Sequence, residues 1–386
     1  MDEDPAPIPA QLPLPESFLD FLNKNGLDPS IYATSRSTPR YIRLKPGCEL
    51  SKIESEFNCE LKLVHWLRDF YYLPPDVRIA GTKAYREGKI YGVDAASGAA
   101  VLALGVSPGD HVLDLCAAPG AKLCMILDLL GSSSGSVTAV DISQHRLAAT
   151  RTMVRKYGLG DLCRLFVADG TTFSLTQSRA SRPNLENSKT YGQWTPRRPY
   201  KERKSAAKAR QKQISGSPEL IFYGPQSGVV GSTKDLVYRS YSDLEISLEL
   251  GYDKVLVDAE CTHDGSIKHI QKFEQWGWAT LSARVLNAER TDEDVTVLQL
   301  KLLVNGFRLL KVGGSLVYST CSLTDAQNEG VVEKFLSENL SAELVKIEAA
   351  ESWPCSTGRI HKTLRFDPLT SGTSGLFVAK FTKLAT

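Results

Sequence analysis

The chain has 386 residues, of which 42% are hydrophobic and 23% are charged, and its formal net charge is +2. This length exceeds one average domain, and the composition is ordinary for a globular protein, which excludes a disordered or collagen-like chain. No segment reaches the roughly 18 apolar residues of a membrane-spanning helix. The acidic start of the chain lacks an apolar run, so we expect no signal or transit peptide.

Eight cysteines occur without a Cys-x-x-Cys pair or a His-rich cluster. This spacing indicates reduced thiols and predicts neither a structural zinc site nor a disulfide framework, so we expect no bound metal. Together with the missing export signal, it predicts an intracellular protein, in the nucleus, the nucleolus or the cytoplasm.

Residues 1–105 are predicted to form two regions. Residues 1–30 are Pro-rich and then helical, and residues 31–105 form a small α+β unit that resembles an RNA-binding region. In that unit the pattern predicts a strand at 41–45, a helix at 50–57, and a further helix or strand at 61–73.

Aromatic and basic side chains of the α+β unit are typical of surfaces that stack bases and hold phosphates. The aromatic side chains can equally belong to a hydrophobic core, and we assign about half of them to it. The residues concerned are Tyr41, Arg43, Lys45, Trp66, Arg68, Tyr71 and Tyr72.

Residues 106–386 alternate between apolar strands and amphipathic helices. This rhythm predicts an α/β domain with a mostly parallel, seven-stranded sheet and helices on both faces. The predicted strands are 111–117, 136–142, 163–169, 252–260, 315–321, 344–347 and 375–381. The predicted helices are 121–130, 143–157, 292–310 and 325–340, and Ser143 is the expected N-cap of the second helix.

An insertion at about 174–250 interrupts this alternation of strands and helices. Within it, Thr176 to Gln213 contains eleven Lys and Arg against two Asp and Glu. Such a segment is typical of a mobile arm that is attracted to a phosphate backbone, although a solvated insertion without a partner has the same composition.

A tight turn of small residues, Cys-Ala-Ala-Pro-Gly-Ala-Lys at 116–122, joins the first strand of this domain to its first helix. Dinucleotide enzymes have three glycines at this turn so that a pyrophosphate can dock, whereas this turn has one. The next two strands end at Asp141 and Asp169, which could be turn residues but are also placed to contact a ribose and an adenine. S-adenosylmethionine, a nucleoside cofactor without phosphates, is therefore the better inference.

Two cysteines, Cys261 and Cys321, each end a predicted buried strand. A buried cysteine taken alone is usually an inert small hydrophobe. Because the carboxyl ends of parallel strands share one edge of a sheet, these two are expected to face one substrate, with Asp258 beside them.

These motifs resemble those of the Sun (Fmu) family of RNA cytosine-5 methyltransferases, from about Tyr41 to the C-terminus without the basic insertion. Residues 114–122 are similar to the cofactor motif of that family. Thr-Cys-Ser-Leu at 320–323, followed by Asn-Glu at 328–329, is similar to its nucleophile motif.

The resemblance implies a Rossmann-like class I methyltransferase fold, S-adenosylmethionine as cofactor, and tRNA or rRNA as partner. We expect no membrane partner and a monomeric protein. Cys321 would be the nucleophile, Cys261 would assist product release, and Asp258 would be the base or would contact a ring nitrogen while burial keeps it protonated. The residues that would bind the cofactor or organise its pocket are Cys116, Ala117, Ala118, Pro119, Gly120, Ala121, Lys122, Asp141, Arg146, Asp169 and Asp258.

Two positions depart from the family pattern. Ala121 stands where the family usually has Gly. Glu260 replaces the Pro of the family sequence Asp-Ala-Pro-Cys-Ser, and a carboxylate there should disfavour a thiolate at Cys261. This change puts product release in doubt and keeps a non-catalytic RNA-binding protein with the same fold as the alternative.

Overall fold

The structure is a computed structural model that describes residues 14–36, 38–131, 135–179, 192–193, 218–223, 236–240, 251–277 and 295–385. Most of the basic segment and most of the Pro-rich start lie outside these residues. Within the described ranges, every helix is too short or too polar to cross a lipid bilayer.

The helices predicted at 50–57, 121–130, 143–157, 292–310 and 325–340 are present with nearly the predicted bounds, with residues 292–294 outside the described part of the chain. The helices at 83–86, 95–104, 267–276 and 368–371 were not predicted. Ser143 caps α6 as predicted, because its Oγ accepts a hydrogen bond from the backbone N–H of Arg146 at 3.3 Å. The α-helices are α1 (Glu16–Lys24), α2 (Leu50–Phe57), α3 (Lys83–Arg86), α4 (Ala95–Leu104), α5 (Ala121–Leu130), α6 (Gln144–Lys156), α7 (Ile267–Trp276), α8 (Val295–Leu309), α9 (Glu329–Glu338) and α10 (Pro368–Ser371).

Strands form two main sheets and one separate pair. The first four strands are β1 (Arg40–Leu44), β2 (Lys62–Leu63), β3 (Phe70–Leu73) and β4 (Ile90–Gly92). They are followed by β5 (His111–Asp114), β6 (Ser136–Asp141), β7 (Cys163–Val167), β8 (Leu175–Arg179), β9 (Gly192–Gln193), β10 (Glu219–Tyr223) and β11 (Leu236–Ser240). The last six are β12 (Tyr252–Asp258), β13 (Leu310–Thr320), β14 (Ala342–Leu344), β15 (Ser356–Thr357), β16 (Leu364–Phe366) and β17 (Leu376–Lys383).

The N-terminal sheet is antiparallel and has the order β2-β3-β1-β4. Helix α2 packs on it through Ile53 and Phe57, which lie one helical turn apart, against Ile42 and Leu73 of the strands. The segment predicted as helix or strand at 61–73 is therefore a pair of short strands. The domain boundaries after residues 30 and 105 stay predictions.

The main sheet confirms the predicted α/β class. Its order is β15-β16-β17-β13-β12-β5-β6-β7-β10-β9, with β14 pairing β17. The five central strands, from β13 to β7, are parallel, and the strands that flank them, β17 and β10, are antiparallel. All seven predicted strands belong to this sheet, which has eleven strands in the described residues because β9, β10, β15 and β16 also join it.

Hydrophobic clusters cover both faces of the main sheet. Along β12, Leu256 belongs to one cluster, whereas Val255 and Val257 belong to the other. Side chains of a strand alternate between its faces, so a strand buried on both sides has a continuous apolar sequence. This burial explains why the centre of β12, Val255 to Val257, is an uninterrupted apolar run.

Several side chains predicted as possible RNA contacts have structural roles. Arg43 forms a buried ion pair with Asp128, so the phosphate-binding role considered for it is wrong. Trp66 packs against Trp353 and Phe366, with ring centroids 6.3 and 5.9 Å away. Lys45 donates a hydrogen bond to the carbonyl of Tyr157, and Tyr41 donates one to the carbonyl of Gly372 at 3.0 Å. By contrast, the Arg68 side chain is 92% exposed.

Candidate active site

A cavity of about 460 Å³ lies at the carboxyl edge of the parallel strands. A larger cavity of about 680 Å³, between α1, α8 and α9, contains none of the predicted site residues. We therefore place the candidate site in the smaller one. The predicted residues that line it are Cys116, Ala118, Pro119, Lys122, Asp141, Arg146, Asp169, Asp258 and Cys321.

The turn between β5 and α5 forms one wall of the cavity. Gly120 precedes α5 with φ of 107°, a conformation that favours glycine, and a Cβ atom there would come within 2.9 Å of Thr150. Gly120 is buried and, like Ala117 and Ala121, does not line the cavity, whereas Ala118 and Pro119 do. A residue larger than Gly120 would therefore displace the turn from Thr150.

Asp141 fixes this turn to the end of β6. Its carboxylate accepts hydrogen bonds from the backbone N–H groups of Ala118 at 3.1 Å and of Ser143 at 2.8 Å. Burial raises the pKa of Asp141, although these N–H groups and Arg146 act in the opposite direction. Arg146 also donates to the carbonyl of Ala118 at 2.8 Å. These hydrogen bonds therefore hold the turn and the end of β6 in place before any ligand binds.

Apolar side chains form another part of the wall, and sequence analysis missed them. Ile142, directly after the strand-end Asp141, is 66% exposed although it is a large hydrophobic residue. Leu298 and Leu302 of α8 also line the cavity. A large apolar residue directly after a strand-end carboxylate is the signal in the sequence that could have identified this wall.

Asp169 also lines the cavity, and Oδ1 of Asp169 accepts two hydrogen bonds from Thr171.

Lys122 and Asp258 form an ion pair inside the cavity. Nζ of Lys122 donates to Oδ2 of Asp258 at 2.7 Å, and the hydroxyl of Ser319 donates to Oδ1 at 2.8 Å. Burial is the largest single effect and would lower the pKa of Lys122, but the charge and hydrogen bond of Asp258, together with Cys321 and Asp114, raise that pKa overall. The burial expected for Asp258 is only partial, since its side chain is 29% exposed and faces this ammonium group.

The two predicted thiols meet at the edge of the cavity. Sγ of Cys261 lies 3.4 Å from Sγ of Cys321, although the residues are 60 positions apart in sequence. His263, which sequence analysis did not select, brings its Nδ1 to 3.0 Å from Sγ of Cys321 and 3.6 Å from Sγ of Cys261. Cys321 and His263 line the cavity, whereas Cys261 is buried behind them.

The thiol of Cys261 is held protonated. Its hydrogen bond with Cys321 and then its burial raise its pKa well above the ordinary value for cysteine. We predicted this direction for a different reason, the carboxylate of Glu260. That carboxylate instead faces His263 at 3.6 Å and Arg146 at 3.4 Å, and the hydrogen bond to His263 is the largest effect that lowers the pKa of Glu260.

Buried hydrogen bonds hold the loop of Cys321 and explain its sequence motif. The hydroxyl of Thr320 donates to Oδ1 of Asn328 at 2.6 Å, and Nδ2 of Asn328 donates to the carbonyl of Ser322 at 2.9 Å. Gly265 donates its N–H to the carbonyl of Cys321 at 2.9 Å, an approach so close that a Cβ atom would lie 2.6 Å from that oxygen. The loop of Cys261 and the loop of Cys321 are thus tied together.

The family model described as 16S rRNA methyltransferase RsmB/F matches residues 101–181 and 235–382, which is more than half of the chain. The chain belongs to this family. The predicted resemblance to the Sun family is thereby confirmed. The match includes the cofactor turn, both strand-end thiols and the Asn-Glu sequence that follows the second thiol.

Curated relatives of this family act on RNA according to their names. A 5-cytosine rRNA methyltransferase, NSUN4, of Bos taurus is 29% identical over 243 residues, which cover 63% of this chain and 44% of the relative. A tRNA (cytosine(49)-C(5))-methyltransferase of Pyrococcus abyssi is 23% identical over 364 residues, 92% of this chain and 90% of the relative. The chain spans less than half of the length of the NSUN4 relatives that it matches.

Solved structures share the fold over nearly the whole chain. The structure titled NSun6 from Pyrococcus horikoshii with SFG has a TM-score of 0.64 at 17% identity, and covers 97% of this chain and 99% of its own. A methyltransferase homolog protein from the same organism has a TM-score of 0.57 at 22% identity, and covers 96% and 100%. At these identities the likeness concerns the fold alone.

Proposed function

We propose that this chain transfers a methyl group from S-adenosylmethionine to carbon 5 of a cytosine in tRNA or rRNA, through a covalent bond between Cys321 and carbon 6. The observation that carries the proposal is the thiol pair of Cys261 and Cys321, 3.4 Å apart at the rim of the cavity. The family match and the names of the curated relatives support the RNA substrate and the position of the methyl group.

The residues of the cavity fit S-adenosylmethionine. A volume of about 460 Å³ is within the usual range for a small-molecule site. Ile142 and Leu302 offer an apolar wall to an adenine, Asp141 and Asp169 offer carboxylates to a ribose and an exocyclic amine, and the small turn residues Ala118 and Pro119 line the cavity. When bound, this cofactor supplies the methyl group as part of a sulfonium ion.

The chemistry explains why cysteine is needed. Carbon 5 of cytosine is a poor nucleophile, but addition of the Cys321 thiolate to carbon 6 makes carbon 5 enamine-like and able to accept a methyl group. Negative charge that develops on the ring carbonyl is stabilised by the Lys122 ammonium group, and Asp258 accepts a hydrogen bond from the exocyclic amine. A base then takes the carbon 5 proton, the electron pair of that bond forms the ring double bond, and the electron pair of the bond between Cys321 and carbon 6 returns to the sulfur.

Cys261 is suited to the release step by its position. Its thiol lies beside the sulfur that must leave, and its raised pKa keeps it a donor. A donor next to Cys321 stabilises the thiolate that departs. We therefore keep the family-like role for Cys261 despite Glu260, whose carboxylate faces His263 and Arg146 instead of this thiol.

RNA would reach the site across basic surface. Arg68, beside β3, is exposed and suited to a phosphate contact. The basic segment Thr176 to Gln213 would add to this attraction. A target base in a paired stem has to be unstacked, at a cost of a few kcal/mol, before Cys321 can reach it.

The test compares the full chain with Cys321→Ala, using bisulfite sequencing of total RNA and a cofactor-binding measurement. We expect new 5-methylcytosine with the full chain, and a loss of about a thousandfold or more in rate with Cys321→Ala. Cofactor binding should persist in the variant. Near-normal turnover by Cys321→Ala would overturn the nucleophile assignment, and RNA binding without any transfer by the full chain would favour the non-catalytic alternative.

A further inference from the structure

His263 has a backbone conformation that residues with side chains rarely adopt. Its φ is 56°, in the left-handed region, and non-glycine residues held there are concentrated at functional sites. Its neighbours keep it in place: the N–H of Thr262 donates to Gln327 at 3.1 Å, and the carboxylate of Asp264 accepts from the N–H of Leu323 at 2.7 Å. The loop thus holds the imidazole at a fixed position between the two strand ends.

The imidazole of His263 has a different partner on each nitrogen. Nδ1 lies 3.0 Å from Sγ of Cys321, and Nε2 lies 3.6 Å from Oε1 of Glu260. Glu260 is in turn 3.4 Å from Arg146, which fixes the carboxylate from its other side. A thiol, an imidazole and a carboxylate in this order form the arrangement by which a base activates a nucleophile and a third group orients the base.

We propose that His263 is the general base for the thiol of Cys321 and that Glu260 is the positioning residue of His263. Glu260 occupies the position where the family usually has Pro, so this arrangement is a property of the present chain and not of the family pattern. The inference rests on the proposed function for its effect on methyl transfer, but the ionisation of Cys321 can be measured without RNA or cofactor.

The step moves one proton. The S–H proton of Cys321 goes to Nδ1 of His263, which leaves a thiolate and an imidazolium, and an electron pair of the sulfur then forms the bond to carbon 6 of cytosine. When that bond breaks after methyl transfer, its electron pair returns to the sulfur. The electron pair of the carbon 5–hydrogen bond forms the ring double bond, the carbon 5 proton goes to solvent water, and the ion pair of thiolate and imidazolium is restored.

Among the described residues, four groups face His263, and two of them, Glu260 and Cys261, favour the imidazolium. The four are Glu260 and Cys261 from its own loop, Cys321 from the end of β13, and the ring of His269 on α7, with centroids 5.3 Å apart. Burial alone would lower the pKa of His263, but its hydrogen bonds to Cys261 and Glu260 raise it to about 10. The Lys122 ammonium group acts on Cys321 from the cavity side.

The first test measures alkylation of Cys321 by iodoacetamide at several pH values, with peptide mass spectrometry and no RNA. The variant is His263→Asn, because asparagine tolerates a left-handed backbone. We expect the rate at Cys321 to be nearly constant from about pH 6 to pH 8 in the wild-type protein, and to rise about tenfold per pH unit in His263→Asn, as for an ordinary thiol. Cys59, in the N-terminal region, is the reference thiol in the same digest.

The second test measures methyl transfer over the same pH range. His263→Asn should lower kcat by about 10²- to 10⁴-fold near neutral pH, with partial recovery as the pH rises and with KM for RNA unchanged. Glu260→Gln should cause a smaller loss, about tenfold, with the same change in the pH profile. A merely structural role of either residue would not create a new pH dependence.

The outcomes separate the two proposals. A flat alkylation profile in the wild-type protein and a steep one in His263→Asn support the base, even when no methyl transfer is found, and in that case the proposed function alone fails. Identical alkylation profiles in both proteins overturn the base. Full turnover with an unchanged pH profile in His263→Asn also overturns it, while the proposed function stands.

Discussion

The guanidinium group of Arg43 lies 2.5 Å from the carboxylate of Asp128, and the two side chains are only 5% and 4% exposed. Arg43 belongs to β1 of the N-terminal sheet, and Asp128 belongs to α5, the helix that begins at the cofactor turn. The guanidinium also lies 5.4 Å from the ring centroid of Tyr91. One buried ion pair therefore connects the N-terminal sheet to α5, the helix that carries Lys122 of the site.

Removal of one partner of this ion pair should lower the free energy of unfolding substantially. Arg43→Ala leaves the Asp128 carboxylate buried without its counterion, and we expect a loss of about 3–5 kcal/mol in the free energy of unfolding, measured by denaturant titration. The control is Arg68→Ala, at an exposed arginine of the turn that joins β2 to β3, which should change the stability by less than about 0.5 kcal/mol. Equal effects of the two substitutions would contradict a structural role specific to Arg43.

Asp258→Asn tests the ion pair in the cavity. Asparagine can still accept hydrogen bonds from Lys122 and Ser319, but it removes the charge that positions the Lys122 ammonium group. We expect methyl transfer to fall by about 10²- to 10³-fold, with little change in cofactor affinity.

The chain provides a matched control at the other end of the same strand. Asp253, near the start of β12, pairs with Lys311 at 2.8 Å, far from the carboxyl edge of the sheet. Asp253→Asn removes the same charge from the same strand and should leave turnover unchanged. If both substitutions reduce turnover equally, the effect belongs to the strand and not to the site.

Cys261→Ala should trap the reaction after the covalent step. Without a thiol beside it, the Cys321 sulfur leaves carbon 6 slowly, and a covalent complex with RNA should accumulate. Denaturing gel electrophoresis with substrate RNA would detect it as a slow band. The double variant Cys261→Ala with Cys321→Ala should give no such band, and its absence from the single variant as well would contradict the release role of Cys261.

The sequence predicts well which strand ends meet at the site, because the topology of a parallel sheet determines this. Apolar runs identify the strands, and parallel strands that alternate with helices bring their carboxyl ends together. Asp141, Asp258 and Cys321 follow such runs, so their shared location could be inferred without coordinates. Strands such as β15, of two residues, are too short to leave a pattern, and the sheet is therefore larger than predicted.

Contacts between distant residues could not be predicted in this way. Arg43 and Asp128 are 85 positions apart, and neither carries a signal that distinguishes a buried ion pair from two surface charges. His263 was missed because its position depends on a left-handed backbone and on buried hydrogen bonds of the neighbouring loop. The sequence pattern for such a residue is only a histidine two positions after a cysteine.

Asp114→Asn tests whether the buried carboxyl group at the end of β5 makes the stability of the protein depend on pH. Burial, and then the charge of Asp258, raises the pKa of Asp114 to about 7, whereas an unfolded chain has a value of about 4. The folded protein therefore holds this proton more tightly than the unfolded chain. The stabilisation is complete below about pH 4 and is lost as the pH rises to about 7.

Asparagine at position 114 can still accept the hydrogen bond from the backbone N–H of Cys116, which lies 3.2 Å from Oδ1 of Asp114, but it does not ionise. The free energy of unfolding of Asp114→Asn, relative to the wild-type protein, should therefore increase between about pH 4 and pH 7, by an upper bound of about 4 kcal/mol. Asp20→Asn, on the exposed face of α1, should show no such change. A constant difference between Asp114→Asn and the wild-type protein across this range would mean that Asp114 ionises equally easily in the folded and unfolded states.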